Sequence, residues 1–203
     1  MSETGTVRIF IPDPTHGEGG WSEASIAAME GPAGGPSALF RQELEAEYGE
    51  KFRFESIGTG AAMASYFVEL VSDPYRAAVT FFFAGKALKE GFQAWGWMYG
   101  QLSKFFHHRP TFDREGAAAL VYKAIVEKLD GVPNSYELKG FATQHRLRYP
   151  DPSKDLLDPG PLTTIEPDRD RVERAVVYVF QVKADGRDFR VTVDGHNVKF
   201  LQQ

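Results

Sequence analysis

Two short stretches of this chain hold residue types capable of chemistry. The first is Asp13-Pro14-Thr15-His16-Gly17-Glu18-Gly19-Gly20-Trp21, which sets an aspartate, a histidine and a glutamate within six residues on glycine-rich backbone. Oxygen and imidazole donors brought together like this suit a hard or borderline metal ion, or acid–base work by the histidine. Asp13, His16 and Glu18 therefore form one candidate catalytic set. Their spacing matches no established metal motif, and a solvated polar loop is the plain alternative. The second stretch is His107-His108-Arg109, followed by Asp113 and Glu115. Adjacent histidines on an α-helix point about 100° apart, so His107 and His108 are not expected to hold one ion together. They read more simply as cationic groups at a helix C-terminus. An approach by His16 or His145 in the fold would give His107 and His108 a metal or catalytic role.

Other motifs are weaker. Gly58-Thr59-Gly60-Ala61-Ala62 follows an expected strand and opens an expected helix, a context that suits phosphate on helix N–H groups. Met63 stands where the dinucleotide fingerprint has its third glycine. Ala84-Gly85-Lys86-Ala87 lacks the upstream glycine and the Ser or Thr of a P-loop. Both read as tight turns or packing glycines. Gln181-Val182-Lys183, preceded by Asp168 and Asp170, resembles over three residues the acidic-then-Gln-x-Lys pattern of certain metal-dependent nucleases. Alternating charge on a solvated strand face accounts for it. The basic and aromatic run Gln144 to Tyr149 is read in the same way, and no Gly-x-Ser-x-Gly elbow is present. No cofactor is expected.

Composition narrows the classes. A chain of 203 residues with 42% hydrophobic content can bury a sizeable core in one domain. The expected organisation is a single domain over 1–203, with a possible subdivision into 1–110 and 111–203. Net charge of −5 argues against a general electrostatic grip on nucleic acid. With no cysteine, disulfides, thiolate metal sites and Cys nucleophiles are excluded. The opening MSETGTVRIF lacks the basic and apolar regions of a signal peptide, so a cytoplasmic location is expected.

The elements that must position these residues follow from patterning. Thr6–Ile11 and Lys51–Ile57 read as strands around a helix over Ala38–Tyr48, with Ser37 as N-cap and Gly49 as stop. This strand-helix-strand unit predicts a parallel pair, and Ala61–Val71 reads as a further helix. Residues 73–106 are dense in Phe, Trp and Tyr and carry four glycines. Asp73 is the expected N-cap and Pro74 the first helical residue of one long amphipathic helix. Its apolar stripe runs through Phe81, Leu88, Phe92, Trp95 and Tyr99, with Trp97 beside it. Lys86, Lys89 and Glu90 exclude a transmembrane span. Asp113 or Thr111 caps a further helix to about Leu129, with Ala117, Leu120, Val121, Ala124 and Ile125 as its buried face. Ser135–Tyr149 is a weak strand with Gly140 as a possible bulge. Ala175–Ala184, Asp188–Asp194 and Val198–Leu201 form an antiparallel meander joined at Asp185-Gly186 and Asp194–Asn197. The fold class is α+β.

The functional expectation is a non-enzymatic protein–protein interaction module that self-associates through residues Phe81, Leu88, Phe92, Trp95, Trp97 and Tyr99 of the 73–106 helix. The alternatives are a small metal-dependent hydrolase built on Asp13, His16 and Glu18, and a peripheral membrane effector using the aromatic helix.

Overall fold

Alternating side chains in Thr6–Pro12 make β1, which sends Val7, Ile9 and Ile11 into the core. In this computed structural model residues 6–14, 36–56, 64–145 and 176–201 are described. Helix α1 (Pro36–Tyr48) follows and ends at Gly49, whose φ of +69° lets its N–H return to Glu45 O at 3.0 Å. Then come β2 (Arg53–Ser56) and β3 (Ala64–Val71). With β4 (Thr111–Phe112) they form a first sheet ordered β2-β3-β1-β4, every neighbour antiparallel.

Two expectations are corrected here. The segment expected as a helix ending at Val71 is a strand from Ala64 onward, paired along its length from Thr6↔Val71 to Pro12↔Ser65. Its run of Tyr66, Phe67, Val68 and Val71 suits a pleated surface, and the ladder to β1 satisfies its backbone. That strand lies between β1 and β2, so the two run in the same direction but are not neighbours. The strand-helix-strand unit stands without a parallel pair.

The expected continuous helix 73–106 is also corrected: it is two helices. Ser72, not Asp73, caps α2 (Asp73–Phe83), accepting from Tyr75 N–H at 3.4 Å. At the other end Gly85 takes φ +67°; Gly85 N–H bonds Phe82 O at 2.9 Å and Lys86 N–H bonds Phe81 O at 3.2 Å. These two crossed bonds are a Schellman stop, open to glycine because it lacks a Cβ. Leu88 then exchanges both backbone hydrogen bonds with Tyr136, at 2.8 and 3.0 Å. Gly91, at φ +80°, turns the chain into α3 (Phe92–Ser103). The two helices close on each other around Trp95, which meets Tyr75, Phe82, Tyr122 and Tyr136 with ring centroids 5.1–5.6 Å apart.

The second sheet is the meander foreseen: β5 (Tyr136–His145), β6 (Val176–Ala184), β7 (Arg187–Asp194) and β8 (Asn197–Phe200), in that order. Its register shifts between Leu138 and Gly140, the bulge expected there. Asp185 and Gly186 both take positive φ, 48° and 80°, the requirement of a two-residue hairpin.

Helix α4 (Arg114–Leu129) packs against strands of both sheets. Asp113 caps it, accepting from Gly116 N–H at 2.8 Å, while its other oxygen accepts from Arg8 N–H of β1 at 2.7 Å. Burial pushes the Asp113 carboxyl well above its usual range, and neighbouring Glu115 adds to the push. Arg114 Nε donates to Glu115 Oε1 at 2.9 Å, and its guanidinium lies 4.8 Å from the Phe83 ring centroid. Tyr75 Oη donates to Glu115 O at 2.5 Å, joining α2 to the same turn. A Cβ on Gly116 would come within 2.9 Å of Phe112 Cβ and 3.0 Å of Val7 Cγ1.

The glycines separate by surroundings. Gly116→Ala should destabilise by about 1–3 kcal/mol through overpacking. Gly100→Ala, in α3 where a Cβ meets nothing within 4 Å, should stabilise by up to about 1 kcal/mol. Urea unfolding of both variants checks this; equal midpoints for the two would contradict the packing described.

Candidate metal centre

The end of α1 and the turn after α3 are brought together by aromatic stacking. Beyond Ser103 the chain passes through Lys104 and Phe105 into a short 3₁₀ turn, Phe106–His108, closed by Arg109 at φ +51°. Phe105 is buried and stacks on Tyr48 of the last turn of α1, centroids 4.3 Å apart and planes 29° apart. Tyr48 Oη also donates to Lys104 O at 3.3 Å and lies 3.3 Å from His107 Nε2. Phe40, one face-repeat earlier on α1, sets its ring edge-on to His108 at 6.2 Å. These contacts hold Glu47, the residue before Tyr48, over the two histidines.

The resulting cluster joins one carboxylate and two imidazoles. His107 Nε2 lies 3.2 Å from Glu47 Oε1, and His108 Nε2 lies 3.4 Å from Glu47 Oε2. One donor atom from each of the three residues falls within 4.8 Å of the others. The histidines do not diverge as adjacent residues on an α-helix would: their ring centroids are 3.9 Å apart. Winding does not align them, since a 3₁₀ turn sets neighbouring side chains about 120° apart; both rings instead pack against Tyr48, at 6.4 and 5.9 Å, and reach the Glu47 carboxylate. Burial is the largest single influence and raises the Glu47 carboxyl, but hydrogen bonds from Tyr48 and His108 and the charges of both histidines together outweigh it and hold the group below its ordinary 4.5. Tyr48 is pushed up, by burial first and then by Glu47.

Donor spacing suits a metal. Nitrogen and oxygen ligands at about 2.0–2.2 Å from a tetrahedral ion stand about 3.3–3.5 Å apart. Both His–Glu separations are close to that distance without rearrangement of the backbone.

The remaining candidate residues are dispersed. Asp13 is buried, and its Oδ2 accepts from Ser37 Oγ at 2.5 Å, with Tyr66 Oη also 2.5 Å from that hydroxyl. Ser37, expected as the cap of α1, lies inside the helix and serves this contact. His16, Glu18, residues 58–60, Asp168 and Asp170 lie outside the described residues, while Gln181 and Lys183 are half-buried on β6. Of the aromatic set, Leu88 and Trp95 are buried, and Phe92 and Tyr99 are half-buried against the core. Phe81 and Trp97 are 52% and 47% exposed. Glu47 was absent from the sequence candidates because it lies about sixty positions from the histidines; its only local signal is a carboxylate in the last turn of a helix, where the dipole disfavours it. No helix among the described residues is long and apolar enough to cross a membrane.

Compared with protein-family models, with curated proteins and with solved structures, the chain matches none of them.

Because the Glu47 carboxyl is lowered in the folded state, its contribution to stability is present above the ordinary carboxylate range and is lost as pH falls through the folded value. Glu47→Gln should therefore lower Tm at pH 6, by a small amount since the side chain is nearly half exposed, and match the unsubstituted protein once the pH has fallen below the folded value and the carboxyl is protonated in both states. Thermal melts across pH check it; a constant difference at all pH values would contradict the assignment.

Proposed function

We propose that this protein binds a divalent transition metal of the zinc class through Glu47, His107 and His108. The observation that carries the reading is the convergence of two Nε2 atoms on the two oxygens of one carboxylate, 3.2 and 3.4 Å away. Two imidazoles and a carboxylate are borderline-hard donors, matched to zinc, cobalt or nickel rather than to calcium or magnesium. Three protein donors leave a position for water, the arrangement that distinguishes reactive zinc sites from closed structural ones. The reading keeps the metal of the hydrolase alternative and moves it from the Asp13–Glu18 loop to the α1–α3 junction. An ion there would also tie α1 to the 3₁₀ turn, adding ligand-linked stability to the aromatic stack of Tyr48 on Phe105.

A tag-free sample titrated with zinc in a calorimeter tests this. One ion should bind per chain, and His107→Ala, His108→Ala and Glu47→Gln should each weaken binding roughly tenfold or more. His196→Ala, in a separate turn, should change nothing. Equal affinity in the unsubstituted protein and the three ligand variants would refute the site.

A second reading, a self-associating interaction module, is supported by the exposure of Phe81 and Trp97, two large apolar side chains on α2 and α3. With Leu88 and Trp95 committed to the core, such a surface would have to centre on these two. Light scattering should then show a dimer that Trp97→Ser converts to monomer with Tm unchanged. A monomer at every concentration would remove this reading.

A further inference from the structure

A groove of about 410 Å³ opens on the outer face of α4, on the side of the 3₁₀ turn that carries Phe106 rather than the metal ligands. Its walls come from four parts of the chain: Tyr99 of α3, Phe106, the Leu120–Lys128 face of α4, and the β7–β8 turn with β8. The β7–β8 turn is seated by close approach, since a Cβ on Gly195 (φ +58°) would come within 3.2 Å of Pro110 O. His196, the next residue, thereby packs on Phe106 with ring centroids 5.7 Å apart and planes 34° apart. Tyr99 also packs on Phe106, edge-on at 6.0 Å.

Flat rings thus line the groove, and cations rim it. Lys123 Nζ lies 5.8 Å from the Tyr99 centroid and pairs with Glu127 Oε1 at 3.2 Å. Lys128 Nζ lies 5.7 Å from the centroid of Phe200, the last residue of β8. Two lysines against one glutamate leave this lining with one net positive charge, in a chain whose net charge is −5. The volume is that of a small-molecule site.

We propose that this groove binds a flat monoanion, an aromatic carboxylate, with its ring among Phe106, His196 and Phe200 and its carboxylate at Lys128. Aromatic walls favour a planar body, which stacks with little loss of conformational freedom. A single net charge favours a monoanion over a phosphate, whose two charges would meet Glu127. The proposal is independent of the metal at Glu47, His107 and His108.

Calorimetric titration with 2-naphthoate and with the neutral 2-naphthylmethanol tests it. Naphthoate should bind about two- to fivefold tighter than the alcohol, the size of one exposed charge contact. Lys128→Glu should weaken naphthoate by more than about fivefold and leave the alcohol unchanged, Glu127→Gln should tighten naphthoate, and Phe200→Ala should weaken both. His107→Ala should bind naphthoate as the unsubstituted protein does, so loss of the metal site and loss of the groove are read separately. Equal binding of acid and alcohol, or naphthoate affinity unmoved by both charge variants, would overturn the proposal.

Discussion

The first turn of α4 is the constraint on which the rest of the structure depends. It enters between the two sheets at a distance that admits no side chain at Gly116 and only methyl groups at Ala117, Ala118 and Ala119, all fully buried. A helix brought this close must have its orphan N–H groups satisfied, since water cannot reach them. Asp113 meets that need and accepts from Arg8 N–H as well, so one carboxylate both caps α4 and ties it to β1. Arg114 and Glu115 are buried beside it as a hydrogen-bonded pair, under the Phe83 ring and near the Tyr75 hydroxyl. Polar groups so placed are costly if any partner is removed, which makes the arrangement specific rather than merely adhesive.

Around that helix the aromatic residues do the filling. Trp95 sits at the meeting point of α2, α3, α4 and β5, with Phe82 stacked on Tyr136 at 4.9 Å and Phe92 on Tyr122 at 5.8 Å. The chain between Gly85 and Gly91 is what allows this. A straight helix would hold Tyr75 and Trp95 about 30 Å apart at 1.5 Å per residue, whereas the reversal brings their rings to 5.1 Å. The same reversal delivers Phe105 to Tyr48, and through that stack the histidines to Glu47. Core and candidate site therefore share one cause, the folding back of α3 on α2.

Legibility differed by residue. The Asp185-Gly186 hairpin, the Gly49 stop and the Asp113 cap were each readable because the residue that makes the feature lies within a few positions of the backbone it serves. His107 and His108 were singled out, yet their joint use was discounted on the angle between adjacent helical side chains, whereas their rings lie 3.9 Å apart and both reach Glu47. Glu47 carried only the weak signal of a carboxylate in the last turn of a helix. The apolar stripe was expected to carry an interaction surface through Leu88 and Trp95, both of which are buried in the core, and its period was taken for one helix because period alone does not register a break that keeps apolar residues inward.

By itself, then, the order of residues determined the α+β class, the meander and most element ends, since period, caps and turn residues act through contacts only a few positions long. It did not determine that Ala64–Val71 is a strand, that the two sheets are separate, or that Glu47 meets His107 and His108. Those were decided by tertiary structure: a strand is chosen by the neighbour that completes its ladder, and a site by which surfaces the core's packing presses together. Both depend on residues tens of positions away, whose proximity no local pattern encodes.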